Sequence, residues 1–225
     1  MRDTLYIDCP CTSFPRSFAR DYKETYLYPP PSTIYGFLLS LVGEADLSAH
    51  LGVKLAIGIV GEKPSVSRIV RKQRHHKFSK KHLQTYPPGK FSKPNHQELL
   101  TDVKVVISLD SSQEKVAVNL AERVTIALSS PGQISRFGGL SLGESWSLVN
   151  GIRAYRQGDG IISWLVKDNR GLIGLPVWID RATGKGTFKR FSLGTPGDDF
   201  SDSCWVEIQA PAAQSKGKSG KSKRR

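Results

Sequence analysis

Three observations predict an α+β fold for this chain: stretches in which apolar residues alternate every second position, two segments in which they recur at helical spacing, and the order in which these follow one another. Leu5, Ile7, Cys9 and Cys11 alternate with Tyr6, Asp8 and Pro10, which reads as a first strand. Pro29-Pro30-Pro31 then holds the backbone extended and bars helix before Pro31. Ser32 or Thr33 is placed to cap the first turn of a helix whose buried face is Ile34, Phe37, Leu38, Leu41 and Val42, with Gly43 as its stop. Leu55, Ile57 and Ile59 form a second strand, and Val103, Val105, Ile107 and Leu109 a third. Ser111-Ser112-Gln113-Glu114 has capping-box spacing, and Val116, Leu120, Val124 and Ala127 predict a second helix to about Leu128. Pro131-Gly132 ends it, and the stretch from Gln133 to Leu140 is read as a fourth strand.

That order, strand-helix-strand-strand-helix-strand, is the ferredoxin-like arrangement shared by RNA-recognition folds. Some forty residues separate the second and third strands and include Pro87-Pro88-Gly89, which is too long for a turn. They predict a projection with short strands of its own. The chain divides accordingly into a ferredoxin-like domain over 1–145 with an insertion at 61–100, a small β-rich extension over 146–211, and a low-complexity basic tail over 212–225 that is expected to be disordered when free. In the extension Trp164 and Trp178 fall in short apolar runs, and with Trp146 and Trp205 they are expected to be mostly core.

Charge is concentrated rather than spread. Ten Lys or Arg residues and four histidines lie between Lys63 and Gln97 without one carboxylate, and six more basic residues follow Gln214. Outside these two blocks, 17 of the 33 basic residues face all 20 acidic ones, so the net +13 is local. Clustered cations imply a polyanion partner, because each phosphate they neutralise releases counterions. Phe78, Tyr86 and Phe91 sit among the cations, where aromatic rings can stack on unpaired bases. The alternative is a solvated loop whose charges aid solubility.

Several classes find no support in the residues. There is no P-loop, nucleophile triad or metal-ligand cluster, so no cofactor and no metal are expected. His75, His76, His82 and His96 match no common zinc spacing. The N-terminus carries Arg2, Asp3 and Asp8 with no signal-like apolar core, and the longest largely apolar run, 37–42, is far too short to span a bilayer. A cytoplasmic protein without membrane contact is expected. Cys9, Cys11 and Cys204 are odd in number and lack paired spacing, which predicts reduced thiols.

Ser13-Phe14-Pro15 and then Pro29-Pro30-Pro31-Ser32-Thr33-Ile34-Tyr35-Gly36-Phe37-Leu38-Leu39 resemble the N-terminal signature of the Cas family five proteins of prokaryotic CRISPR systems. Phe137-Gly138-Gly139-Leu140-Ser141-Leu142-Gly143 resembles a glycine-containing segment later in that family, although the arginine usual soon after the Leu-Gly pair is missing. The resemblance implies the repeat-associated RNA-binding superfamily, a ferredoxin-like N-terminal domain and a hairpin thumb where the basic block sits. It further implies a subunit of a type I surveillance complex, Cascade, that holds the repeat-derived 5′ handle of the guide RNA beside the backbone and large subunits, with target DNA nearby.

The hydroxyls of Ser13, Ser32, Thr33 and Tyr35, the first-turn amides and the Arg16 guanidinium suit phosphates and a hooked RNA end. The thumb of the family maps onto Arg68, Arg71, Lys72, Arg74, His75, His76, Lys77, Lys80 and Lys81, and the signature segments add Phe14, Arg136, Phe137, Gly138 and Gly139. In one branch of the family the same fold is a metal-independent endoribonuclease that matures the guide. His75, His76, Lys77 and Tyr86 supply residue types for that chemistry. A non-catalytic subunit is the expectation, with a precursor-RNA endoribonuclease and a general structural RNA-binding protein as alternatives.

Overall fold

The computed structural model describes residues 4–16, 22–74, 92–180, 183–197 and 200–211. In chain order the elements are β1 (Thr4–Thr12), β2 (Tyr22–Lys23), α1 (Pro31–Leu41), β3 (Lys54–Val60), β4 (Ser65–Arg74), β5 (Ser92–Asp110), α2 (Leu120–Ser129), β6 (Gly151–Ala154), β7 (Ile162–Lys167), β8 (Ile173–Ile179), β9 (Gly186–Leu193) and β10 (Val206–Glu207). One sheet runs β6-β1-β5-β3-β7-β9-β8, with β4 on the first half of β5 and β10 beside β3. Every pairing is antiparallel except the short parallel contact of β2 with β5. Among the described residues the architecture is therefore mixed α and β, a large antiparallel sheet with two α-helices.

Alternation along the strands sorts the core into two faces. Leu5, Ile7 and Cys9 of β1, Leu55, Ile57 and Ile59 of β3, and Val103, Val105 and Ile107 of β5 pack with Ile34, Leu38 and Leu41 of α1 and Leu120 and Val124 of α2. The in-between residues Tyr6, Ala56 and Val106 face the other way, where Trp164, Cys204 and Trp205 cover them. Phe200 stands edge-on to both Trp164 and Trp205, with ring centroids 5.0 Å apart in each case. Trp178 is buried against Tyr35 of α1, so three of the four tryptophans are core and Trp146 is half-buried.

The first helix follows the sequence closely at its end and less so at its start. Pro30 is the N-cap and Pro31 the first helical residue, with no side-chain cap from Ser32 or Thr33. Proline is pre-set for that position, and the earlier start puts Ser32 and Thr33 inside the helix, past the cap. At the other end Gly43 adopts φ 71°, and the Glu44 and Gly43 amides donate to the Leu39 and Ser40 carbonyls at 2.8 and 3.3 Å. That pair of bonds is a Schellman stop.

Two predicted elements lie elsewhere. The second helix starts at Leu120, capped by the Asn119 side chain accepting from the Glu122 amide at 3.0 Å, rather than at Ser111. Ser111 and Glu114 serve the helix from outside, accepting from the Ala121 amide at 3.2 Å and the Leu120 amide at 3.1 Å. Val116 is exposed. The fourth strand is not at 133–140, which holds only a 3-10 turn over Pro131–Gln133 and irregular chain. The edge of β1 is filled instead by β6, with Leu5↔Ala154 and Ile7↔Ile152 in register. β6 pairs only with Leu5 to Asp8, which leaves the outer side of β1 open at Pro10, where a missing amide hydrogen costs nothing. The three cysteines are free thiols, and burial pushes that of Cys9 up to about 11.

Candidate nucleic-acid interface

β4 and the first half of β5 pair over ten residues, from Ser65↔Thr101 to Arg74↔Ser92, as a ribbon that leaves the sheet. Its corner is Asp102, whose φ of 58° marks the change of partner from β3 to β4. A non-glycine residue in that region is tolerated best when it is Asp or Asn. Arg68 is largely exposed and pairs with Glu98 across the ribbon at 3.7 Å. Glu98 also accepts from the Tyr22 hydroxyl at 2.9 Å and the Thr25 amide at 3.1 Å, which ties the 22–25 segment to the ribbon root.

Arg71 places its guanidinium over the indole of Trp146, 4.8 Å from the ring centroid. The Trp146 Nε1 donates to Glu144 at 2.8 Å, and the same carboxylate takes a hydrogen bond from buried Gln97 of β5 and an ion pair from Lys23 at 3.6 Å. A glutamate thus fastens ribbon, loop and sheet at one point. Sequence reading missed Glu144, Gln97 and Lys23 altogether. The local signal is Trp146 itself, flanked by Ser145 and Ser147; it was expected in the core, and the structure leaves it half-buried under Arg71.

The residues after β1 meet the glycine-containing segment. Gly143 has φ 96°, and a Cβ there would lie 2.4 Å from the Ser13 carbonyl oxygen and 2.7 Å from Thr12 Oγ1. Thr12 Oγ1 donates to the Leu142 carbonyl. Ser13 and Phe14 are buried, so their side chains support this junction instead of facing solvent. Ser13 Oγ, Gln97 Oε1 and Ser147 Oγ are buried without a hydrogen-bond partner among the described residues. Arg16 is exposed, paired with Glu24 at 3.2 Å and lying over Tyr26 at 5.3 Å.

A second group of predicted residues lies along α1. Tyr35 is core, its hydroxyl donating to the Leu47 carbonyl at 2.8 Å, and burial pushes its pKa up to about 12. Ser32 and Thr33 line a cavity of about 200 Å³ with Trp178 and Ile179. The Thr33 and Ile34 amides both donate to the Pro30 carbonyl at 2.9 and 3.0 Å, and Pro31 has no amide hydrogen. Only Ser32 can offer a first-turn amide to an anion, a weaker site than an uncapped turn provides. Arg136 and Phe137 border a cavity of about 250 Å³ with Gly36, Leu39 and Leu47. Phe137 is fully exposed, beside exposed Gly138 and Gly139, and the Arg136 guanidinium donates to the Gly138 carbonyl at 3.2 Å.

Of the ribbon residues, Lys72 and Arg74 are placed by backbone alone, opposite Pro94 and Ser92. His75, His76, Lys77, Lys80, Lys81 and Tyr86 lie outside the described residues, as does the tail from 212. Among the described residues no group of three or more His, Cys, Asp or Glu side chains is arranged to hold a metal, and no helix is long and apolar enough to cross a membrane.

No family model matches the sequence. Among the solved structures that share the fold are a chain of a CRISPR RNA-guided surveillance complex, with TM-score 0.60 and 12% identity over 87% of this chain and 91% of that one, and a Cas protein crystal structure, with TM-score 0.50 and 14% identity over 86% and 93%. In sequence the chain is similar to the CRISPR-associated protein Cas5 of Myxococcus xanthus (strain DK1622), 34% identical over 197 residues that take in 84% of this chain and 87% of that protein. At that identity and coverage, with the fold in agreement, the chain belongs to the Cas5 family of CRISPR-associated proteins.

Proposed function

We propose that this chain is a non-catalytic subunit of a type I CRISPR surveillance complex, Cascade, in which it holds the repeat-derived 5′ handle of the guide RNA and lies beside target DNA. The observation that carries this reading is the basic β4–β5 ribbon, braced at its root by Arg71, Trp146, Glu144 and Gln97. In this reading it is the thumb that closes over the guide. Support for a ferredoxin-like core comes from the order β6-β1-β5-β3, which is fourth, first, third, second if the ribbon is counted as an insertion. Arg16, Ser32, Thr33, Arg136 and Phe137 are the remaining contacts the handle would use from this chain. Backbone and large subunits of the complex are its expected neighbours.

Fluorescence anisotropy with a labelled repeat-derived RNA, against DNA of the same length and across a salt series, tests the assignment. The RNA is expected to bind more tightly. Arg68→Ala is expected to flatten the logarithmic salt dependence by about 0.7, the share of one phosphate on a single strand. Equal binding of both polymers, or a slope that Arg68→Ala leaves unchanged, would favour a general nucleic-acid-binding protein.

A further inference from the structure

We infer that the outer face of the β8–β9 hairpin is a second contact surface for single-stranded nucleic acid, separate from the ribbon. β9 pairs with β8 from Gly186 to Phe191 but meets β7 only from Phe191 onward, so its first five residues border β8 alone. Phe191 is buried on the helix side of the sheet. Alternation then puts Phe188 and Arg190 on the opposite face, with Pro176 and Gly174 directly across from them on β8. Phe188 is 47% exposed, a large aromatic ring in the open on a strand. A Cβ at Gly174 would meet nothing within 4 Å, so the floor beside Arg190 is flat and unobstructed.

Charge selects the partner. Arg190 on this face and Arg170 and Lys185 on the adjoining turns are exposed, and none forms an ion pair among the described residues, while Lys167 and Lys189 share the face of Phe191. The acid on the β7–β8 turn is already engaged: Asp168 accepts from Ser192 Oγ at 2.5 Å and from the Arg170 amide at 2.8 Å. Asp180, on the β8–β9 turn, accepts from the Thr183 amide at 3.1 Å. An aromatic ring and an arginine two residues apart, on a cationic hairpin with a bare glycine opposite, suit a base on the ring and its phosphate on the guanidinium. A duplex hides its base faces and would leave the ring unused. β3 and β7 lie between this hairpin and β5 in the sheet, so a strand held by the ribbon does not occupy it. The surface does not depend on recognition of the 5′ handle.

The test is photo-crosslinking of the full chain to a 4-thiouridine RNA 12-mer and, separately, to a 4-thiothymidine DNA 12-mer, with the attachment points mapped by mass spectrometry. A crosslink within 186–193 is expected, and it should persist in the Arg68→Ala, Arg71→Ala variant. Phe188→Ala should lower the affinity of the crosslinked polymer about fivefold or more, the scale of one stacked base. Arg190→Ala should reduce its logarithmic salt slope by about 0.7. The arm that crosslinks tells whether RNA or DNA is the strand held. Crosslinks confined to other segments, or loss of the 186–193 crosslink with the ribbon variant, would overturn the inference, and so would unchanged affinity and slope in both hairpin variants. Should Phe188→Ala lower the melting temperature, Lys185→Glu at the exposed turn decides by the same slope and affinity.

Discussion

His50 and Glu114 form a contact that no local pattern announces. The imidazole Nδ1 and the carboxylate are 2.6 Å apart, and both side chains are almost wholly buried. Arg123 donates to His50 Nε2 at 3.0 Å and to Glu44 at 2.8 Å, so Nε2 is the acceptor and the ring proton lies on Nδ1, toward Glu114. The network ties the end of α1 to the start of α2. His50→Ala leaves the Glu114 carboxylate buried without this partner and is expected to cost about 3 kcal/mol, measured as a lowered denaturant midpoint. Arg123 beside Glu44 holds that carboxyl down at about 2 against its ordinary 4.5. A depressed folded-state pKa contributes stability above the unfolded value that is lost as pH falls through the folded one. Stability should therefore decline between about pH 4.5 and 2, and Arg123→Ala should shallow that decline in a pH series of denaturation curves. Sequence reading passed over the network because its members lie up to 79 positions apart and Glu114 was read only as part of a local capping box. Trp146 is a similar case at the ribbon root. Trp146→Ala should cost the fold only about 1 kcal/mol, the scale of one cation–π contact, yet weaken binding of the repeat-derived RNA by more than that share, since the ribbon loses its brace.

At the scale of elements, regular spacing was legible and departures from it were not. α1 and the strands β1, β3 and the inner half of β5 follow from apolar periodicity, because each buries one face against the same core. The start of α2 was misplaced because Ser111 and Glu114 have capping-box spacing but bond the helix from a preceding turn. The fourth strand was misplaced because β6 is a short edge strand whose outer residues are exposed, so its pattern carries little apolar signal. The ribbon was legible as a long insertion, but the length of its pairing was not, since exposed Val66 and Val70 alternate with cations instead of marking a core. Gly43 is the sharpest single test of an element boundary. A Cβ there would lie 2.2 Å from the Ser135 carbonyl oxygen, in a left-handed conformation that side chains disfavour. Gly43→Ala should destabilise by about 2 kcal/mol or more, read from thermal or denaturant melts.

At the scale of the whole molecule, the sheet is filled on both sides over β1, β3 and β5. RNA-recognition domains stack bases on the sheet face away from their helices. Here Trp164 and Trp205, with Phe200 between them, lie over Tyr6, Ala56 and Val106 on that face. In the proposed reading, nucleic acid is met at the margins instead, on the ribbon beyond β5, along α1 and at the β8–β9 hairpin. Trp205→Ala should cost about 3 to 5 kcal/mol as a core cavity, with a lowered melting temperature as its measure. Among the described residues, Arg68 and Arg71 of the basic block stand on the β4–β5 ribbon and not on this covered part of the sheet, which suits the proposed polyanion contact. The most direct test of the central claim is a gel assay of the purified protein, in chelator, with labelled RNA spanning one full repeat and its spacer. Salt-sensitive binding at the handle, with the RNA left intact, is the expected result. Metal-independent cutting at the handle boundary, lost in the His75→Ala, His76→Ala variant, would contradict it and make the chain a maturation enzyme.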